Sequence, residues 1–175
     1  MQEITPVAKI QIVKSSSHYK FVHSLYMDKL NFPTYAFRVK GHEDEKKIFD
    51  DVRKKYIALT PEEWVRQHIV RYLIKEKNYP GSLFAIETGT KYNRMAKRTD
   101  IVVYNPDGHV VLLIECKAPG VAINQNPFNQ IAMYNKELRG KFLIVTNGIS
   151  HYCCEMDYVN GDHKFLEDIP DYDSI

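Results

Sequence analysis

The chain has 175 residues, of which 44% are hydrophobic and 26% charged, with a formal net charge of +2. That balance suits one folded domain with a core of its own and room for an extension. A charge so near zero excludes a partner held by overall charge, so any nucleic acid must be met by a local basic patch.

The cysteines, Cys116, Cys153 and Cys154, are odd in number and two are adjacent, which excludes a regular disulfide framework. Zinc-knuckle CxxC spacing is absent, so reduced cysteines in a cytoplasmic protein are expected. The N-terminal "MQEITPVAKIQIVKSS" has no secretory apolar core. No apolar run approaches the roughly 20 residues of a membrane span.

Residues 1–59 read as a lead-in that packs on the main domain, residues 60–175. Within the lead-in, "KKIFDDVRKKYIAL" spaces Ile48, Val52, Tyr56 and Leu59 by three or four, which predicts a short amphipathic helix. "TPEEWVRQHIVRYLIKEKNYPG" then starts a helix with Thr60 as N-cap, Pro61 at the first position and Glu62 and Glu63 in the first turn. That helix should end near Asn78. "SLFAIETG" is a candidate strand, followed by the basic connection "KYNRMAKR". "TDIVVYN" and "HVVLLIECK" read as an antiparallel hairpin across Asn105-Pro106-Asp107-Gly108. A helix follows from about Pro127 to Leu138, closed by Gly140. "KFLIVTNG" is a buried strand, and a last hairpin turns at Asn160-Gly161. The order predicts an α/β fold, a central mixed β-sheet flanked by helices.

The strand "VVLLIEC" is apolar on both faces until Glu115. Alternation sends Glu115 and Lys117 one way and Cys116 the other, into the core. A hairpin centred on Pro106-Asp107-Gly108 pairs positions whose numbers sum to about 215, which sets Asp100 opposite Glu115. Two close carboxylates repel unless a proton or a cation lies between them. With oxygen ligands and no histidine in the cluster, the natural cation is Mg²⁺ or Mn²⁺. An isolated Glu-x-Lys is a common solvated pattern; Asp100 across the hairpin and the stop at Pro119-Gly120 set this one apart.

"TDIVVYNPDGHVVLLIECKAP" resembles the core of the PD-(D/E)xK nucleases: an acid, a hairpin, then Glu-x-Lys. Thr99 stands where that family has proline. "PEEWVRQHIVRYLI", "KRTDIVVY", "LLIECKAP", "NQIAMYN" and "FLIVTNGISHYCCEMD" together resemble the N-terminal nuclease domain of type I restriction subunits, and short stand-alone bacterial relatives. The resemblance implies a restriction-endonuclease-like core. It implies that Asp100, Glu115 and the Cys116 carbonyl hold the metal, with Lys117 acting on the water and the phosphate. It places an acid on the first helix, Glu63 rather than its competitor Glu62. Gln130 and Tyr134 share a helix face and resemble the Gln-x-x-x-Tyr element of that branch, which implies that they anchor the active-site face or hydrogen-bond the DNA backbone.

Lys91, Arg94, Lys97 and Arg98 lead directly to Asp100, which suits phosphate contact. His68, His109, His151 and His163 are scattered and read as structural, as do Cys153 and Cys154. The expected function is Mg²⁺-dependent DNA hydrolysis, with DNA and other restriction or defence subunits as partners and a homodimer left open. The competing reading is a non-catalytic module that binds nucleic acid or a partner protein. The residues carry no P-loop of a motor and no GxSxG of a hydrolase elbow.

Overall fold

A computed structural model describes residues 20–21, 28–42, 45–86 and 99–175. The lead-in forms a small antiparallel sheet in the order β1 (Lys20–Phe21), β2 (Arg38–Lys40), β3 (Lys47–Asp50), β4 (Lys55–Ala58). The helix expected over this stretch is a hairpin instead. Asp50 explains the correction: its Oδ1 accepts the amides of Val52 and Arg53, each at 2.8 Å, and closes a turn that Lys54 completes at φ 54°. Ile48 faces Ile57 and Phe49 faces Tyr56 across the hairpin, so a period of two prevails over the helical spacing.

From Pro61 onward the chain runs α1 (Pro61–Glu76), β5 (Phe84–Ile86), β6 (Ile101–Tyr104), β7 (Val110–Cys116), α2 (Gln125–Leu138), β8 (Phe142–Thr146), β9 (His151–Asp157) and β10 (Asp162–Leu166). The strands form one sheet in the order β10-β9-β8-β7-β6-β5. Among the described residues, only β7 and β8 pair in parallel, and α2 supplies the crossover that such a pair needs. The fold is therefore α/β, a mixed sheet flanked by helices.

Local chemistry sets the helix limits. Thr60 accepts the Glu63 amide at 3.1 Å and starts α1. Asn124 accepts the Asn126 amide at 2.9 Å, so α2 begins at Gln125, ahead of the expected Pro127. At its other end the left-handed residue is Arg139, not Gly140. Gly140 is needed for a different reason: a Cβ there would lie 2.3 Å from Leu113 Cδ1 and 2.9 Å from Val110 Cγ1. The chain enters β8 pressed against β7.

β7 is buried on both faces, which explains its unbroken apolar run. On one face Leu112 and Ile114 pack with Val65, Ile69 and Leu73 of α1, and with Val39 and Ile48 of the small sheet. On the other, Leu113 packs with Ile131 of α2, Leu143 and Val145. Cys116 and Cys153 belong to the first core and Cys154 to the second. His68 is buried among the rings of Trp64 and Phe37, with Nδ1 2.9 Å from the Trp64 carbonyl. Burial lowers its pKa to about 4, a core histidine. Among the described residues, no helix is long and apolar enough to cross a membrane.

Candidate active site

The β6–β7 hairpin sets the centre. Ile101 pairs with Ile114, Val102 with Leu113 and Val103 with Leu112 before the register shifts at Tyr104. Asn105 holds the turn: its side chain accepts the His109 amide at 2.8 Å. Extending the register by one residue places Asp100 opposite Glu115. The link is direct, because the Cys116 amide donates to Asp100 Oδ2 at 2.7 Å. The strand that carries Glu115 thus also holds Asp100 in place.

Glu115 lies on the α2 face and its side chain is 6% exposed. Its Oε1 accepts from the Lys117 ammonium at 2.8 Å and from Gln130 Nε2 at 3.2 Å. Its Oε2 is buried without a hydrogen-bond partner. Burial and then the neighbouring Asp100 charge raise the Glu115 pKa, against the pull of Lys117 and Arg66. Burial works against the Lys117 ammonium. Its hydrogen bond to Glu115 and the charges of Glu115 and Asp100 outweigh this, and the Lys117 pKa rises. The depressed pKa that suits a lysine general base is not what this geometry produces. The Lys117 amide donates to the Thr146 carbonyl at 2.8 Å, which anchors the residue just beyond the β7–β8 pairing.

From α2, Gln130 reaches Glu115 directly. Tyr134, one turn on, has a buried hydroxyl with no hydrogen-bond partner. Burial and the Glu115 charge raise its pKa, with Lys117 opposing, so the phenol stands close to both.

Of the two acids on α1, Glu62 is exposed and Glu63 is buried. Glu63 is heavily engaged. It accepts from Arg66 Nη1 at 2.5 Å, Gln67 Nε2 at 2.8 Å and Arg53 Nη2 at 3.2 Å. Burial raises its pKa, while Arg66, Gln67 and Arg53 oppose the rise. Arg66 continues to Asp100, with Nη2 3.3 Å from Oδ1. Arg53 continues to Asp50, with Nε 2.6 Å from Oδ2. Asp50, Arg53, Glu63, Arg66 and Asp100 therefore form one chain of alternating charge. Sequence reasoning missed Arg53, Arg66 and Gln67. For the last two the signal was present, since they follow Glu63 by three and four residues on a helix. Lys91, Arg94, Lys97 and Arg98 lie outside the described residues.

Comparison with known proteins adds the family. The model of the family described as the type I restriction enzyme R protein N terminus matches residues 61–170. The chain belongs to this family. The match opens at the first residue of α1 and spans every strand of the six-stranded sheet. A solved fragment described as an HsdR subunit of a type I restriction enzyme from Vibrio vulnificus YJ016 is 24% identical, with a TM-score of 0.47. The alignment covers 67% of this chain and 24% of that one. No curated protein matches.

The donor set of this R-protein-type domain fits a hard divalent cation. Two carboxylates converge, one raises the pKa of the other, and a buried Glu115 oxygen is unsatisfied. Among the described residues, no group of three or more His, Cys, Asp or Glu is arranged to hold a metal.

Proposed function

We propose that the chain is a PD-(D/E)xK-type nuclease domain that hydrolyses DNA phosphodiester bonds with Mg²⁺ or Mn²⁺. One observation carries the reading. Asp100 and Glu115, brought together across a hairpin, leave a buried carboxylate oxygen unpaired beside a lysine.

Asp100 and Glu115 would hold the cation, together with the Cys116 carbonyl. The ion supplies Lewis acidity toward the phosphoryl oxygens. Lys117, hydrogen-bonded to Glu115, would stabilise charge that develops on the phosphate. Gln130 steadies Glu115 and offers its amide to the DNA backbone, while the buried Tyr134 hydroxyl stands close to Glu115 and Lys117. Arg66 orients Asp100, and Glu63 fixes Arg66. DNA is the substrate class, and other subunits of a restriction system are the expected partners.

A different observation favours a non-catalytic module on the same fold: Asp100 already holds a guanidinium where a ligand oxygen is needed. One experiment separates the two. The protein is incubated with linear, circular and single-stranded DNA and Mg²⁺ or Mn²⁺. The nuclease reading expects cleavage that stops in chelator and in Lys117→Ala. Cleavage that survives either one overturns the site assignment. Absence of Mn²⁺ binding by calorimetry leaves the binding module.

A further inference from the structure

The outer face of the β2–β4 sheet carries charge that the candidate centre does not use. Val39, Ile48 and Ile57 point inward to the core. Alternation therefore turns Arg38, Lys40, Lys47, Phe49 and Tyr56 outward. Phe49 and Tyr56 are cross-strand partners, with rings 5.1 Å apart edge to face. The Arg38 guanidinium lies 3.6 Å from the centre of the Phe49 ring, and the Lys40 ammonium 4.0 Å from that of Tyr56. The two rings thus form a floor that holds two cations flat on the sheet. Side chains already held in this way lose less freedom when they bind.

Lys40 and Lys47 are direct partners across the β2–β3 ladder. Like charges so placed repel, at a cost to the sheet. Neither forms an ion pair with any other described residue. Asp51, shared between Arg38 at 2.6 Å and Arg71 at 2.5 Å, pairs with neither lysine. An anion seated between Lys40 and Lys47 turns their repulsion into attraction. Arg38 and Lys40, two residues apart on one strand, are spaced by about 7 Å. With Lys47 alongside, they form a short row suited to a repeating anion.

We propose that this face is a nucleic-acid backbone surface, with Arg38, Lys40 and Lys47 contacting successive phosphates. It supplies the local patch that a chain of net charge +2 requires. It lies outside residues 61–170 and shares with the nuclease reading only the class of partner. The surface is also tied to the centre, because β3 ends at Asp50, whose partner Arg53 holds Glu63.

The test is fluorescence anisotropy with short labelled single- and double-stranded DNA in EDTA, over a salt series. Lys40→Ala/Lys47→Ala should reduce the slope of log K against log salt by about two, roughly one for each lysine that no longer meets a phosphate. Lys40→Arg/Lys47→Arg should restore it, which separates lost charge from lost fold. An unchanged slope in the alanine pair overturns the proposal. Polyglutamate that binds the wild type more tightly than DNA also overturns it and assigns the face to an acidic protein. Chelator keeps binding independent of cleavage. If Asp100→Asn abolishes cleavage while the lysine pair leaves the slope intact, this inference falls and the nuclease reading stands. The converse result removes the nuclease reading alone.

Discussion

Arg66 of α1 and Asp100 beside the β6–β7 hairpin meet, Nη2 to Oδ1 at 3.3 Å, while the other arm of the guanidinium holds Glu63. Arg66 and Glu63 are 8% and 6% exposed in their side chains. Arg66→Met strips the closest cation from a buried acid. It should cost about 3 kcal/mol, the scale for breaking a buried pair from one side. Urea unfolding measures it, and a loss below about 1 kcal/mol, the worth of a surface pair, would show the pairing to be idle.

Glu115 sets a pH dependence. Its folded pKa is raised, so the fold favours the protonated form. The stability it contributes is present below the ordinary glutamate value of about 4.3 and is lost as pH rises through the higher folded value. Glu115→Gln mimics the protonated state. It should melt above the wild type at neutral pH, and the gap should close in acid. Thermal melts across this range decide, and a wild type more stable than Glu115→Gln at neutral pH refutes the expectation.

Divalent cations should reverse that order. An ion bound at Asp100 and Glu115 would offset the repulsion between them, and only the native fold holds the pair together. Mn²⁺ at a hundredfold excess over its dissociation constant adds about 2.7 kcal/mol. The melting temperature of the wild type should rise while those of Asp100→Asn and Glu115→Gln stay still. An equal rise in all three would place the ion elsewhere.

Tyr134 separates stability from activity. Its buried hydroxyl has no hydrogen-bond partner, so Tyr134→Phe removes a desolvated polar group. Folding stability should hold or improve by up to about 1 kcal/mol. DNA cleavage should nevertheless fall, because the phenol is a donor near Glu115 and Lys117. Unfolding curves and cleavage rates on the same preparations check both halves. A loss of stability without a loss of rate reverses the assignment.

The hairpin register is legible in the sequence because Asn105 to Gly108 marks a turn and period-two alternation does the rest. Those two features bring Asp100 to Glu115, and the Cys116 amide on Asp100 Oδ2 shows how closely they meet. Of the two acids on α1, Glu63 is the buried one. Arg66 is not legible as a bridge, because its second partner, Asp100, comes from a distant part of the chain. The β3–β4 hairpin is hidden because Ile48, Val52, Tyr56 and Leu59 satisfy a helical spacing as well. What decides there is the Asp50 carboxylate accepting two turn amides, a choice that apolar spacing does not encode.

The Asp50–Arg53–Glu63–Arg66–Asp100 chain has a consequence for cooperativity. It begins in the β3–β4 hairpin and ends at Asp100 beside the β6–β7 hairpin, crossing Thr60 without a gap. A cut there would split the network in two. Glu63 would stay in one fragment with half its counter-charge, and Arg53 would stay in the other with Asp50. The two pieces should therefore reassociate when mixed, as complementing fragments. The intact chain should lose β3 and the first turn of α1 in a single melting event.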